Sequence, residues 1–301
     1  MARELTIAAA QAEPRAIGAD LAPFARDVAR IAADTDSQLI VYPELHLFGW
    51  EGLVDEDGRN ALLRASAVPL DGELVAGLGE IARDTGRWLV PGSICERGEN
   101  GELFNTALAF APDGSLAASY RKVFPWRPSE PYDPGDRFVV FDIEGTGRFG
   151  LSICYDSWFP EVTRHLAWMG AEAVINVVKT TTPDREQEVV LAQANSIVNQ
   201  TFTVSVNTAG PVGRGRSLIV DPEGAVRTVS SDAGATVLTD TIDLDQVTAV
   251  REHGTAGFNR MWSQFRPDDR PLALPLYAGA IDPERWHPRT PTLTPNPIPF
   301  E

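Results

Sequence analysis

The chain has 301 residues, 43% of them hydrophobic, and carries 26 Lys and Arg against 42 Asp and Glu, a formal net charge of -16. That is enough apolar material for one large core in a single α/β domain, while the acidic balance opposes nucleic acid and anionic membrane surfaces, which call for a basic face. No apolar run approaches the roughly 20 residues that cross a bilayer. The opening MARELTIAAAQAEPR does not join a charged segment to an apolar segment and a cleavage site. With two cysteines only, Cys95 and Cys154, a cytoplasmic protein with free thiols and no membrane partner is expected.

Short β-branched or apolar runs predict strands at residues 4–10, 38–42, 88–94, 105–111, 138–143, 149–153, 173–178, 201–206, 217–220 and 236–242. LAASY, residues 116–120, reads as another. Helix-period segments fall between several of them. Leu21, Phe24, Ala25, Val28, Ile31 and Ala32 form one stripe. Leu74, Leu78 and Ile81 form a second, stopped by Gly86, and Val162, His165, Leu166 and Met169 a third, ending at Gly170. A fourth spans about 185–200. Alternating strands and helices give an α/β class. The turns RGENGE, APDGS and DPEG leave too little chain for a crossover helix, so antiparallel hairpins enter the same sheets, which are mixed. After about Arg266 the texture changes, with nine of the 23 prolines in residues 267–301 and no hydrophobic period. The expected organisation is a domain over residues 1–265 and a proline-rich tail or arm over 266–301. Leu272, Leu274, Leu276, Tyr277 and Trp286 would anchor an arm, and disorder is the other reading.

Cys154 closes the run FGLSI and precedes a helix whose first turn holds Phe159, Pro160 and Glu161. A thiol at such an elbow is rigid and close to a helix dipole, which would lower its pKa. A lone cysteine is more often a small buried hydrophobe than a catalyst. A nucleophile needs a base, and the four histidines, His46, His165, His253 and His287, are poorly placed to be one. No CxxC, HxH or HExxH spacing suggests a metal. Glu44, after the apolar run LIVYP, is the better base. Lys122 stands beyond LAASY and Glu130 lies in PWRPSEPYDPG. Each alone would pass as a solvated side chain, but the four together suggest a site.

YPEL at 42–45, YRKVFPW at 120–126 and ICYDSWFPE at 153–161 resemble, in order, the three motifs of the nitrilase superfamily of carbon–nitrogen hydrolases, and HLAWMGAEAVIN at 165–176 continues the third. The resemblance covers about residues 4–245. It implies a four-layer αββα sandwich with mixed sheets and a Glu-Lys-Cys triad at Glu44, Lys122 and Cys154, with Glu130 as the amidases' second glutamate. It further implies a thioester on Cys154, an oxyanion held by Lys122 and the Tyr155 backbone N–H, and no cofactor or metal. Tyr155-Asp156 resembles the amidase branch, whereas true nitrilases carry Trp-Glu there. The expected function is hydrolysis of a small carboxamide to acid and ammonia. Nitrile or N-carbamoyl hydrolysis and a catalytically silent binding module on the same fold are the alternatives. Candidate pocket walls are Phe48, Trp50, Trp126, Tyr155, Trp158 and Phe159. Lys179, Arg127, Arg185, Arg214 and Arg216 could each meet a substrate carboxylate. Family members commonly pair through the helices after the nucleophile, so a homodimer or higher homo-oligomer is expected, with Trp168 and Met169 at the contact.

Overall fold

Both faces of nearly every predicted strand are buried, and the chain arranges them as two stacked sheets in a computed structural model that describes residues 2–274 and 279–281. In order come β1 (Glu4–Gln11), α1 (Ala22–Thr35), β2 (Leu39–Val41), α2 (Glu56–Ala65), α3 (Glu73–Thr85), β3 (Trp88–Val90), β4 (Ser93–Arg97), β5 (Leu103–Phe110) and β6 (Leu116–Arg121). There follow β7 (Val140–Ile143), β8 (Gly147–Ile153), α4 (Pro160–Trp168), β9 (Ala173–Val178), α5 (Arg185–Asn199), β10 (Phe202–Asn207), β11 (Leu218–Val220), β12 (Val226–Val229), β13 (Thr236–Asp243) and α6 (Asp245–His253). A last hairpin pairs β14 (Leu272–Leu274) with β15 (Gly279–Ile281).

The first sheet runs β13-β1-β2-β3-β5-β4, with β6 on β5, and the second β12-β11-β10-β9-β8-β7. β1, β2 and β3 are parallel, as are β8, β9 and β10, and the flanking strands join antiparallel. The sheets are mixed as expected. Alternation along β1 sorts its residues: Leu5, Ile7 and Ala9 enter the core between the sheets, and Ala8 and Ala10 enter the core beneath α1 and α3. On the far side α4 lays Val162 and Leu166 over Val174, and α5 lays Val189 and Ala192 over Leu218 and Val220. The result is helix, sheet, sheet, helix.

Four stretches differ from the sequence reading. WLVPGSI is two strands, because the chain turns at Gly92 (φ +92), where an added Cβ would stand 1.8 Å from the Pro43 carbonyl oxygen. α2, β12 and α6 were not expected. β12 is largely exposed and α6 buries only Val247 and Val250, so neither carries a full hydrophobic stripe; α2 likewise holds few apolar residues. Leu272 is 51% exposed in the single chain, so it is not packed on the body. Leu276, Tyr277 and Trp286 lie outside the described residues. Among the described residues no helix is long and apolar enough to cross a membrane.

Candidate active site

The candidate residues follow strand ends. Glu44 comes just after β2, Lys122 directly after β6 and Cys154 directly after β8. Cys154 opens a short 3-10 turn, Cys154–Trp158, and α4 begins at Pro160, where the sequence places the helix's first turn. The backbone there is left-handed, with φ +46 at Cys154 and φ +51 at Leu45 beside Glu44. Such geometry costs a non-glycine residue on the order of 1–2 kcal/mol and must be held by its surroundings. At Cys154 the holder is Asp156, fully buried. Its Oδ2 accepts the Ile153 N–H at 2.9 Å and the Tyr120 hydroxyl at 2.8 Å, and its Oδ1 accepts the Phe124 N–H at 2.9 Å. Tyr120 and Phe124 flank Lys122, so one carboxyl ties the cysteine turn to the lysine segment. Burial pushes Asp156 up to about 6, against Lys122 and these hydrogen bonds.

Lys122 is fully buried and its Nζ donates to Glu44 Oε1 at 3.2 Å and to Glu130 Oε1 and Oε2 at 2.8 and 2.9 Å. Burial opposes its charge, but Glu130, Glu44 and Cys154 overcome that and hold the ammonium well above the ordinary lysine range. Glu44 takes two further donors, Asn105 Nδ2 at 2.7 Å and the Lys179 backbone N–H at 2.8 Å. Desolvation still drives Glu44 upward, against Lys122 and with Glu130, which makes it a stronger base than an exposed glutamate. Glu130 also accepts the Trp126 backbone N–H at 2.8 Å. The structure thus brings Glu44, Lys122 and Glu130 into one hydrogen-bonded cluster whose charges act on the Cys154 thiol.

The expectation of a depressed cysteine pKa does not hold. Burial first, then the charge of Glu44, push the Cys154 thiol well above its ordinary range, with Lys122 opposing and Glu188 and Glu130 adding to the rise. Cys95 is also raised, to about 12 by burial, and its sulfur lies 3.4 Å from the Tyr132 hydroxyl inside the core. Cys154 remains the accessible thiol of the two. Its Sγ is 3.7 Å from Thr180 Oγ1.

The remaining predicted residues separate. Phe159 stacks on Phe124 at 3.7 Å between ring centroids and meets Tyr155 edge-on at 5.2 Å, while Trp158 lies 6.1 Å from Tyr155. Trp126 is 44% exposed, a rim residue at most. Phe48 is buried core and Trp50 lies under the Arg59 guanidinium. Lys179 offers its backbone to Glu44, whereas its ammonium stands 2.7 Å from Glu51 Oε1. Arg185 is buried against Glu188, Arg216 pairs with Glu186, and Arg214 donates to the Thr181 carbonyl at 3.0 Å. His46 packs on Tyr42 and Phe24, and burial lowers it to about 3, so it is neutral. His165 stacks on Phe138, while His287 lies outside the described residues. Asn105, Asp156 as a tie, Thr180 and Glu188 were not foreseen; a polar Asn105 opening the apolar run NTALAFA was the one sequence hint. Among the described residues no three His, Cys, Asp or Glu side chains are grouped to hold a metal ion.

A cysteine beside buried carboxylates and a lysine, on an αββα frame, defines a cysteine-type hydrolase. The carbon-nitrogen hydrolase family model matches residues 6–252, and the chain belongs to that family, the nitrilase superfamily, in its amidase-like branch. A formamidase of Bradyrhizobium diazoefficiens is 35% identical over 194 residues, 62% of this chain and 55% of that protein. A formamidase of Bacillus thuringiensis is 39% identical over 120 residues, 39% of this chain and 36% of that protein. The chain thus spans about half the length, or less, of these relatives. Among solved structures, Nit3 of Saccharomyces cerevisiae, a member of branch 10 of the nitrilase superfamily, has a TM-score of 0.73 at 25% identity, covering 83% of this chain and 93% of that one. The NitN amidase of Nesterenkonia sp. AN1 has a TM-score of 0.70 at 26% identity, covering 82% and 97%. A variant of that amidase carries the acetamide moiety of fluoroacetamide on its active-site cysteine, with a TM-score of 0.68 at 25% identity over 81% and 92% of the two chains.

Proposed function

We propose that the protein hydrolyses a short-chain carboxamide to the carboxylic acid and ammonia through a thioester on Cys154. The observation that carries this reading is the buried Lys122 ammonium held between Glu44 and Glu130, with Glu44 desolvated and the thiol still protonated. A protonated thiol needs a base at the moment of attack. Glu44 takes that proton as Sγ bonds to the carbonyl carbon, then returns one to the departing amine. Lys122 sets a fixed positive charge where the oxyanion develops, joined by the Tyr155 backbone N–H. Water activated by Glu44 then cleaves the thioester, and Glu130, bonded to both Lys122 and the Trp126 backbone, positions the lysine and the amide. Tyr155, Phe159 and Trp158 wall the acyl side, with Trp126 at the rim, and Lys179 enters through its backbone rather than as an anion receptor. That lining, with formamidases among the relatives, makes formamide and other short aliphatic amides the first substrates to try. A panel of aliphatic amides, ω-amides of dicarboxylates and N-carbamoyl compounds, assayed for ammonia and for an acyl mass on Cys154, tests the proposal. No ammonia from any of them, or turnover that survives Cys154→Ala, refutes it.

The same reading assigns residues 1–265 to the hydrolase domain and 266–301 to an arm, and takes the enzyme as a homodimer or higher homo-oligomer. Trp168 is half-buried and packs 6.2 Å from Trp262, so it is not a free contact. The support comes instead from α5, where Val190, Ile197 and Val198 are 63%, 48% and 44% exposed. Spaced i, i+7 and i+8, they share one helix face.

A further inference from the structure

A second buried carboxylate, on α5, reaches the Cys154 sulfur through one hydroxyl. Thr180 follows β9 by two residues, and its backbone is pinned by N–H donation to Asn207 Oδ1 at 2.9 Å and by a carbonyl that accepts the Arg214 N–H at 3.0 Å. Its hydroxyl donates to Glu188 of α5, with Oε1 at 2.8 Å and Oε2 at 2.7 Å. Glu188 is 5% exposed and pairs with Arg185 Nη1 at 3.0 Å. Arg185, 2% exposed, spends its other donors on the Gly215 and Arg216 carbonyls and the Ser205 hydroxyl. A threonine has one proton to give. With that proton on a carboxylate, Oγ1 turns a lone pair toward Cys154 Sγ, 3.7 Å away.

We propose that Thr180, its hydroxyl proton committed to Glu188, is the acceptor for the Cys154 S–H, and that the Thr180–Glu188–Arg185 string keeps the nucleophile a thiol until Glu44 removes its proton in the substrate complex. This rests on reading Cys154 as the nucleophile. No heavy-atom bond changes at rest. The sulfur's proton passes to Glu44 as the S–C bond forms, and the Thr180 proton stays with Glu188 throughout. Thr180 touches the reacting atom; Glu188 and Arg185 are positioning residues. The charged groups facing the sulfur are Glu44 and Lys122 from the strand ends, Glu130 from the loop after β6, and Glu188 with Arg185 from α5. Of these, only Lys122 and Arg185 favour a thiolate. The chemical benefit is a cysteine that resists adventitious alkylation and oxidation between turnovers, because the thiolate is the reactive form.

The test is the rate of iodoacetamide alkylation of Cys154 against pH, read by mass on its peptide with no amide present. In the parent, alkylation should climb only above the ordinary thiol midpoint of about 8.5. Glu188→Gln deletes a negative charge and frees the Thr180 hydroxyl to donate to a thiolate, so the midpoint should fall by about one unit. The thiolate fraction at pH 7 then rises about tenfold, its lower nucleophilicity offsets part of that, and alkylation quickens roughly three- to fourfold. Because Glu188→Gln leaves a buried guanidinium without its carboxylate, Arg185→Gln with Glu188→Gln, which removes charges of both signs and should move the midpoint less, is measured beside it, and Thr180→Ser should keep the parent profile. A parent midpoint at or below 8.5, or an unmoved midpoint in folded Glu188→Gln, overturns the proposal. The parent alone decides if neither variant folds. Failure here leaves the amide-hydrolase reading standing, and absence of ammonia release leaves this one standing.

Discussion

Asp156→Asn puts an amide where three donors converge. Tyr120 can turn its hydroxyl to accept, but the Ile153 and Phe124 N–H groups cannot, so whichever way the amide is set one buried backbone donor faces an NH₂. An unsatisfied buried donor costs about 1–3 kcal/mol. Opposing this, Asn carries no charge to bury. Asp156 sits at about 6 in the fold against an ordinary 3.8. A carboxyl raised in the fold contributes fully below its unfolded pKa, and that contribution is lost as pH rises through the folded value. The linkage relation puts the parent's loss at about 1.6 kcal/mol by pH 5 and about 3 kcal/mol by pH 8. The variant lacks this dependence. Its deficit should therefore shrink by about 1.4 kcal/mol between pH 5 and pH 8, roughly 2 °C in Tm at this chain length. Thermal unfolding of both proteins at pH 5, 6 and 8 measures it. Ammonia release at pH 7 should fall in kcat more than it changes KM, since the lysine segment loses its tie to the cysteine turn. A Tm difference constant over that range would refute the raised carboxyl, and an unchanged kcat would refute the tie.

Asn105→Ala removes a 2.7 Å donor from Glu44, a bond that lowers its pKa, so the acidic limb of the kcat/KM profile should move to higher pH; a limb that stays put separates Asn105 from the base. Glu130→Gln removes a charge without removing volume and should slow the pre-steady-state ammonia burst more than thioester hydrolysis, with Tm little changed; an unchanged burst makes Glu130 structural only. Val190→Asp with Ile197→Asp places two charges on the exposed stripe of α5 and should leave monomers in light scattering at micromolar concentration. A parent already monomeric there would refute the assembly.

How much of this was legible follows from where each signal lives. The inner strands of both sheets are buried on two faces, so near-continuous apolar runs such as AVINVV and TFTVSV announce them. Glu44, Lys122 and Cys154 stand out because each charged or reactive residue follows such a run closely. What the sequence could not carry is partnership. Asn105 meets Glu44 across 61 positions, the Lys179 backbone meets it across 135, and Asp156 meets Tyr120 across 36. The thiol shows the consequence most clearly. Local reasoning from an elbow and a helix start predicts a depressed pKa. The helix starts at Pro160, where the sequence puts it, but burial and the charges of Glu44 after β2, Glu130 in its loop and Glu188 on α5 outweigh its end. One lysine cannot offset three of them plus burial. The sign of the shift is therefore a property of the assembled fold, and under the proposed mechanism it moves activation to the moment of attack. In such a site the base, rather than the nucleophile's own acidity, sets how fast the thiol reacts, and buried Glu44 with its raised pKa is matched to that demand.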